Sequence, residues 1–305
     1  MIYVVSGATG FIGREVVARL LAEGHDVRCV CRPGSPRISA LPAGAAPGRV
    51  DADLSDYAML GRRIPHADVM IHLAWDGITR EGRNFTDVQR ANVASSLQAM
   101  RAAREMGCKV FAATGSQAEY GVVDGPADER TTCKPFSEYG KAKLELCREA
   151  SVQAAALGIK YLHLRVFSVY GENDHPWAMI SRCTQKMLAG EDVELTDCTQ
   201  NWNYLYVKDC AKQMTMLSEW AFGSMTTTSE IFNLASGDTR RLKSFVEQMH
   251  SMTGASGRLL YGRVRADHPV SLNPDIGKLK AAIGFVADYS FASGYENVIK
   301  HYCNG

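Results

Sequence analysis

The chain has almost no net charge. Its 34 lysines and arginines stand against 33 aspartates and glutamates, which leaves +1 over 305 residues. Without a basic surplus there is no electrostatic footprint for nucleic acid, and without a polybasic run there is none for an anionic membrane surface. Long apolar runs are missing too: none approaches the ~20 residues that span a bilayer. The start lacks a charged leader region and a cleavage site, so no signal peptide is expected. The nine cysteines include no C-x-x-C pair. That argues against a zinc site or a disulfide frame and for buried thiols in a reducing cytoplasm, the expected location. The eight histidines show no ligand spacing, so no metal is expected. No internal repeat or low-complexity segment appears. What is present is an ordinary globular composition, 46% hydrophobic and 22% charged, on a chain long enough for a large core.

The first feature that carries chemistry is Ser6-Gly7-Ala8-Thr9-Gly10-Phe11-Ile12-Gly13. Ile2 to Val5 read as a buried strand, and Glu15 to Glu23 as a helix with Val16, Val17, Leu20 and Leu21 at helical spacing, stopped by Gly24. Gly7 permits a tight turn, Gly10 lets backbone approach a pyrophosphate, and Gly13 lets the helix pack on the strand. The N–H groups of the helix start would face phosphates. The spacing is G-x-x-G-x-x-G rather than G-x-G-x-x-G, and its place between strand and helix points to a dinucleotide.

The second feature is Tyr139 with Lys143, at i and i+4, so a helix brings phenol and ammonium to one face. A nearby ammonium is expected to lower the tyrosine pKa and make a proton donor or acceptor for a carbonyl/alcohol pair. The third lies just past the second strand, Asp26 to Cys31. A carboxylate there would bind the 2′-hydroxyl of NAD ribose. Instead the chain continues Arg32-Pro33-Gly34-Ser35-Pro36-Arg37. Arg32 with Ser35 suits a 2′-phosphate, so the expected cofactor is NADP(H). Arg37 fits that role or that of a solvated loop residue equally well.

Strand and helix patterns alternate to about residue 170, which predicts an α/β doubly wound parallel sheet. Pro33 to Gly48 reads as a loop within it. Beyond Tyr170, helices are expected over Trp177 to Leu188, Leu242 to Met252 and Ile276 to Ala282, with short strands at Val193 to Thr196 and Arg258 to Tyr261.

Together these residues resemble the extended short-chain dehydrogenase/reductase family, the branch of nucleotide-sugar epimerases, dehydratases and reductases, over essentially the whole chain. The resemblance implies a Rossmann-type dinucleotide-binding domain over 1–170, its sheet completed by about 204–235, and a smaller C-terminal substrate lobe from 171–203 and 236–305. It implies that Asp53-Leu54 meet the adenine and that a strand ending His72-Leu73-Ala74 lines the cofactor cleft, with Trp75 where relatives often have alanine. Asn92, opening the next helix, would support a bound water. Ser116 would take the catalytic Ser/Thr role, four residues before Tyr120-Gly121. Val166 and Ser168 lie in Leu164-Arg165-Val166-Phe167-Ser168-Val169-Tyr170-Gly171, where Ser168 replaces an asparagine. Tyr206-Val207-Lys208-Asp209 and Asn233-Leu234-Ala235-Ser236-Gly237 match two further landmarks. The helices over Phe85 to Met106 and Tyr139 to Leu157 would form a homodimer contact.

The family leaves the reaction open. Dehydratases carry Asp-Glu directly after the Ser/Thr; here Gln117 and Ala118 stand there, and Glu119 is displaced by one. Deoxysugar epimerase-reductases use a cysteine near this point, which Ala118 cannot replace. His175 could lie near the substrate. A 4-epimerase needs no extra acid or base but usually holds NAD, which Arg32 argues against. The favoured reading is therefore NADPH-dependent reduction of the 4-keto group of a nucleotide-linked keto-deoxysugar. An NDP-sugar 4-epimerase, or a ketoreductase for another small carbonyl compound, remains the alternative. Of two family arginines that hold the substrate diphosphate, one is replaced by Trp202, which could stack on a ring or sit in the core. The other falls at Arg265, beside Arg263, ten residues before Asp275-Ile276-Gly277-Lys278.

Overall fold

In the computed structural model, which describes residues 1–225, 228–265 and 270–304, the strands are β1 (Ile2–Ser6), β2 (Asp26–Cys31), β3 (Arg49–Asp51), β4 (Val69–His72), β5 (Val110–Ser116), β6 (Lys160–Val166), β7 (Ser168–Tyr170), β8 (Val193–Glu194), β9 (Asn201–Tyr206), β10 (Glu230–Leu234), β11 (Thr239–Arg241) and β12 (Leu259–Leu260). The helices are α1 (Phe11–Ala22), α2 (Leu60–Arg63), α3 (Thr86–Glu105), α4 (Glu138–Leu157), α5 (Met179–Leu188), α6 (Val207–Gly223), α7 (Leu242–Thr253), α8 (Gly277–Ile283) and α9 (Phe291–Asn304). No helix among the described residues is long and apolar enough to cross a membrane.

Seven strands form one parallel sheet in the order β10-β6-β5-β4-β1-β2-β3. Its strands read as unbroken apolar runs because both faces are covered. Alternation along each strand divides the side chains. Tyr3, Val5, Ile71, Ala112 and Leu164 join α1, α6 and α8 in one core. Val4, Met70, Phe111 and Tyr161 join α2, α3 and α4 in the other. A third core holds α5, α7, α9 and β9 together in the C-terminal lobe.

The doubly wound fold expected from the alternating pattern is the one observed; α1 starts four residues before the expected Glu15, and the other helix ends shift by a residue or two. One boundary needs correction. Tyr204 to Ser218 does not return to the large sheet. β9 pairs with β7 and β11 in a separate three-stranded sheet, and α6 packs on the face of the large one, against α1. Only β10 extends that sheet. The reason is local: Val207 to Gly223 has the amphipathic period of a surface helix, and Cys210, Met214 and Leu217 fill the groove beside α1.

Parallel strands place all their C-terminal ends on one rim, and the glycine turn lies there. Gly7 has φ +69, and a Cβ on it would meet the Ala74 nitrogen at 2.8 Å. A Cβ on Gly13 would run into the Gly7 carbonyl oxygen. Backbone faces backbone at that contact, so nothing flexible can yield. Gly13→Ala is therefore expected to lower stability by at least ~2 kcal/mol, read as a fall in the urea midpoint at unchanged slope.

Candidate active site

A cleft of about 1810 Å³ runs from the strand ends to the C-terminal lobe. A site for one small ligand seldom exceeds ~1000 Å³, so this one has room for two. At its floor, Gly7, Thr9, Gly10, Phe11, Ile12 and Gly13 line the wall. Gly10 caps α1 with no side chain, and the first helical turn holds no acid. The amide hydrogens and the positive end of the helix dipole are thus presented bare to the cleft. These features fit the diphosphate of a dinucleotide.

Arg32, Ser35, Asp53 and Leu54 line the same end, as do Leu73, Ala74, Trp75 and Val166 nearer the middle. His72 does not; it is buried, bonded to Ser6 Oγ at 2.7 Å and Ser96 Oγ at 2.9 Å. Arg32 is not free. Its guanidinium is paired with Asp76 and lies 3.6 Å from Asp53. The carboxylates missing from the end of β2 arrive instead from the ends of β3 and β4.

The reacting groups converge at the middle of the cleft. Ser116 ends β5 and caps the turn Gln117–Glu119, its Oγ accepting the Ala118 N–H at 3.2 Å. The Tyr139 phenol lies beside the same hydroxyl, which favours its ionised form. Ser137 caps α4, its Oγ accepting the Gly140 N–H, so Tyr139 and Lys143 rise from its first turns toward Ser116. The expected electrostatics need correction. Burial pushes the Tyr139 phenol up rather than down, and the cation that opposes this is Arg83, whose guanidinium lies 4.9 Å from the ring centre. Lys143 is turned away. Its Nζ donates to the Thr114 carbonyl at 2.7 Å, sits 3.4 Å over the face of Trp75, and is 5.7 Å from the Tyr139 ring centre. Burial lowers its own pKa to about 7.

Two of the expected residues lie outside the cleft lining. Asn92 lies a turn and a half inside α3, buried, outside the cleft. Its amide holds the backbone of Asp76 from both ends, Oδ1 accepting the N–H and Nδ2 donating to the carbonyl, each at 2.9 Å. Those two bonds hold the loop after β4 in its bend. Arg263 is exposed and does not line the cleft, because the turn after β12 aims it outward. Gln117, Ser168, His175, Trp202 and Arg265 do line it. The Trp202 indole N–H is buried with no partner among the described residues. Among the lining residues that sequence reasoning passes over are Asp76, Arg83 and Trp177. Asp76 and Arg83 lie in a polar loop with no period to mark them, and Trp177 stacks on His175 with ring centres 4.1 Å apart.

Behind Ser116 lies a buried ionic cluster. Glu119 accepts from His163 Nε2 and Arg165 Nε, both at 2.8 Å, and from the Ser116 N–H at 2.8 Å. Burial alone would raise this carboxyl, but the two cations and the amide outweigh it and hold it at about 2. Burial alone would lower His163, but Glu119 holds it at about 9. Glu119 is therefore engaged away from the cleft.

This fold and site have known counterparts. Residues 3–235 match the NAD dependent epimerase/dehydratase family, and the chain belongs to it. An uncharacterized UDP-glucose epimerase of Bacillus subtilis is 24% identical over 97% of this chain and 96% of its own. A dTDP-6-deoxy-L-talose 4-dehydrogenase (NAD(+)) of Aggregatibacter actinomycetemcomitans is 27% identical over 80% and 88%. Among solved structures, UDP-glucose 4-epimerase of Thermotoga maritima with UDP-glucose superposes with a TM-score of 0.88 at 24% identity, covering 100% of this chain and 99% of that one. MoeE5 in complex with UDP-glucuronic acid and NAD gives 0.85 at 26% identity with the same coverage. The family match fits a cleft floor built for a dinucleotide.

The ionic cluster makes a pH prediction. Glu119 sits below its unfolded value near ~4.3, so its contribution is present above that pH and is lost as pH falls through about 2. His163 sits above its unfolded value near ~6.5, so its contribution is complete below that pH and is lost as pH rises through about 9. Glu119→Gln should remove ~3–5 kcal/mol between these limits by leaving two cations buried. Both flanks should flatten. Urea unfolding from pH 3 to pH 9 measures this, and an unchanged pH profile would refute it.

Proposed function

We propose that the protein inverts C4 of a UDP-linked hexose by oxidising and re-reducing it in one cleft. The observation that carries this reading is the composition of the reacting end. The Tyr139 phenol and the Ser116 hydroxyl face the cleft together, and the two places after Ser116 are Gln117 and Ala118. Elimination of water needs an acid and a base there, and Glu119 is already committed. Inversion needs only a group that takes the hydroxyl proton and returns it. The epimerase relatives support this over one-way reduction.

A bound nicotinamide dinucleotide would supply reversible hydride transfer at the sugar carbon. Gly7 to Gly13 would hold its diphosphate, Asp53 and Leu54 its adenosine, and Leu73, Ala74, Trp75 and Val166 the nicotinamide end, with Lys143 on the ribose. Tyr139 takes the proton of the 4-hydroxyl as the carbonyl forms and gives it back as the alcohol is restored. Arg83 and the Ser116 hydroxyl draw the phenol toward the phenolate that the first step needs. Ser116 also donates to the carbonyl oxygen and orients it. Gln117, Ser168, His175, Trp202 and Arg265 would hold the substrate, so that residues 1–170 serve the cofactor and 171–203 with 236–305 the sugar nucleotide.

A second reading, NADPH-dependent reduction of a nucleotide-linked 4-ketosugar, is favoured by Arg32 and Ser35 at the cleft end. Against it, Asp53 and Asp76 already answer the Arg32 charge, which suits a ribose hydroxyl better than a phosphate dianion. The first reading expects NAD(H) to bind at least ~10-fold more tightly than NADP(H); the second requires the reverse.

The direct test is incubation with UDP-glucose, UDP-galactose and UDP-glucuronic acid, with C4 configuration followed by NMR. Tyr139→Phe should lower turnover ~10²–10⁴-fold and leave dinucleotide affinity nearly intact. No inversion of any UDP-sugar, together with NADPH consumption on a 4-ketosugar, would move the assignment to the second reading. For assembly we infer a homodimer through α3 and α4, whose outer faces expose Ala91, Ala94, Val152 and Ala155. Small apolar side chains there allow close helix packing. Sedimentation at micromolar concentration should give the mass of two chains; a single-chain mass would exclude it.

A further inference from the structure

Resting on the nucleotide-sugar reading, we infer that the ring to be inverted carries a carboxylate, and that Arg83 is the group that selects it: the substrate class is a nucleotide-linked uronic acid. Arg83 comes from the loop between β4 and α3 and lies over the Tyr139 ring at 4.9 Å, inside the cleft. Its Nε donates to the Ile78 carbonyl at 3.2 Å, which fixes the guanidinium plane. It has no carboxylate partner among the described residues. Arg32, by contrast, is answered by two acids and Arg165 by one. The charges felt by the Tyr139 phenol are Arg83 and the already paired Glu119. Arg83 and Arg37 both oppose protonation of His175 across the cleft. The reacting end therefore holds an excess of positive charge beside the oxygen that Tyr139 serves. A guanidinium presents two parallel N–H groups, which match a carboxylate in a fork. On a hexose, C6 is bonded to C5, next to C4, so a C6 carboxylate falls within reach of a group placed over Tyr139. A neutral hydroxymethyl there would offer the guanidinium no counter-charge.

A phosphate of the dinucleotide, or the diphosphate of the substrate, presents the same anionic oxygens. Calorimetry on the full chain separates these sources with NAD alone, then UDP, UDP-glucose and UDP-glucuronic acid in the presence of NAD. The expected result is UDP-glucuronic acid bound at least ~10-fold more tightly than UDP-glucose. Arg83→Gln should abolish that difference while NAD and UDP affinities stay within about twofold, and Arg83→Lys should restore part of it. Loss of NAD affinity in Arg83→Gln would place the residue on the cofactor phosphate and overturn the inference. Equal loss for UDP would place it on the substrate diphosphate and do the same. If wild type binds both sugars alike, the inference fails while the nucleotide-sugar reading stands. If UDP does not bind at all, the reading beneath it has failed as well.

Discussion

One buried carboxylate ties the sheet, the reacting serine and the C-terminal lobe together. Glu119 leaves the end of β5, turns inward and meets two cations on β6, His163 and Arg165, with no exposure on either glutamate or histidine. Three charges in such a place are tolerable only because each is hydrogen-bonded. The same guanidinium donates to the Tyr120 hydroxyl at 2.9 Å, and that hydroxyl donates to Asn233 Oδ1 at 2.7 Å. Asn233 Nδ2 in turn reaches the carbonyls of Ala127 at 3.0 Å and Asp275 at 3.1 Å. A chain of polar contacts thus runs from the Ser116 backbone, across β6 and β10, to the start of α8. Gly115 is glycine because a Cβ there would collide with the His163 ring and the Glu119 carboxylate.

The consequence for the site is rigidity where position matters. Ser116 has its N–H fixed by Glu119, and its hydroxyl accepts the Ala118 N–H. Trp75 is fixed in its turn: its indole N–H donates to Gln89 at 2.8 Å, and Gln89 donates to the Gly77 and Gly82 carbonyls. The indole face then covers Lys143. A cation over an aromatic ring keeps part of the stabilisation that burial removes, so an ammonium can persist in a place that water does not reach. The loop pinned by Gln89 is also the loop that carries Arg83. Packing behind the cleft and charge inside it therefore come from one short stretch of chain.

The range of each interaction decides how much of the site is legible in the sequence. The glycine turn is legible because its requirements are local: a positive φ at Gly7 and a bare helix start belong to consecutive residues. Tyr139 and Lys143 are legible as a pair for the same reason, through the i, i+4 spacing of one helix. Their electrostatics are not. The direction of the Tyr139 shift depends on burial and on Arg83, fifty-six positions earlier in the chain. Arg32 misleads when taken in isolation, since the carboxylates that answer it arrive from other strand ends. Asn92 does sit beside the β4 loop, and its amide exchanges one hydrogen bond with each end of the Asp76 backbone unit. The landmark Asn233 matches the family by sequence, yet its partners are Tyr120, Ala127 and Asp275. Its part is to hold the loop and the lobe in place rather than to touch a ligand.

The division of labour in the cleft then has a physical basis. Parallel strands deliver backbone ends and a helix dipole to one rim, which suits a ligand with a large constant part such as a diphosphate. Selectivity cannot come from those groups, because any dinucleotide or sugar nucleotide would satisfy them. It has to come from side chains on loops that the sheet does not constrain, and here those are the β4–α3 loop with Asp76 and Arg83, and the segment after β7 with His175 and Trp177. Substitutions in either loop can change what binds without disturbing Glu119 or the glycine turn. A fold whose recognition is separated in this way from its supporting charges can keep Tyr139 and Ser116 in place while the loops around them vary.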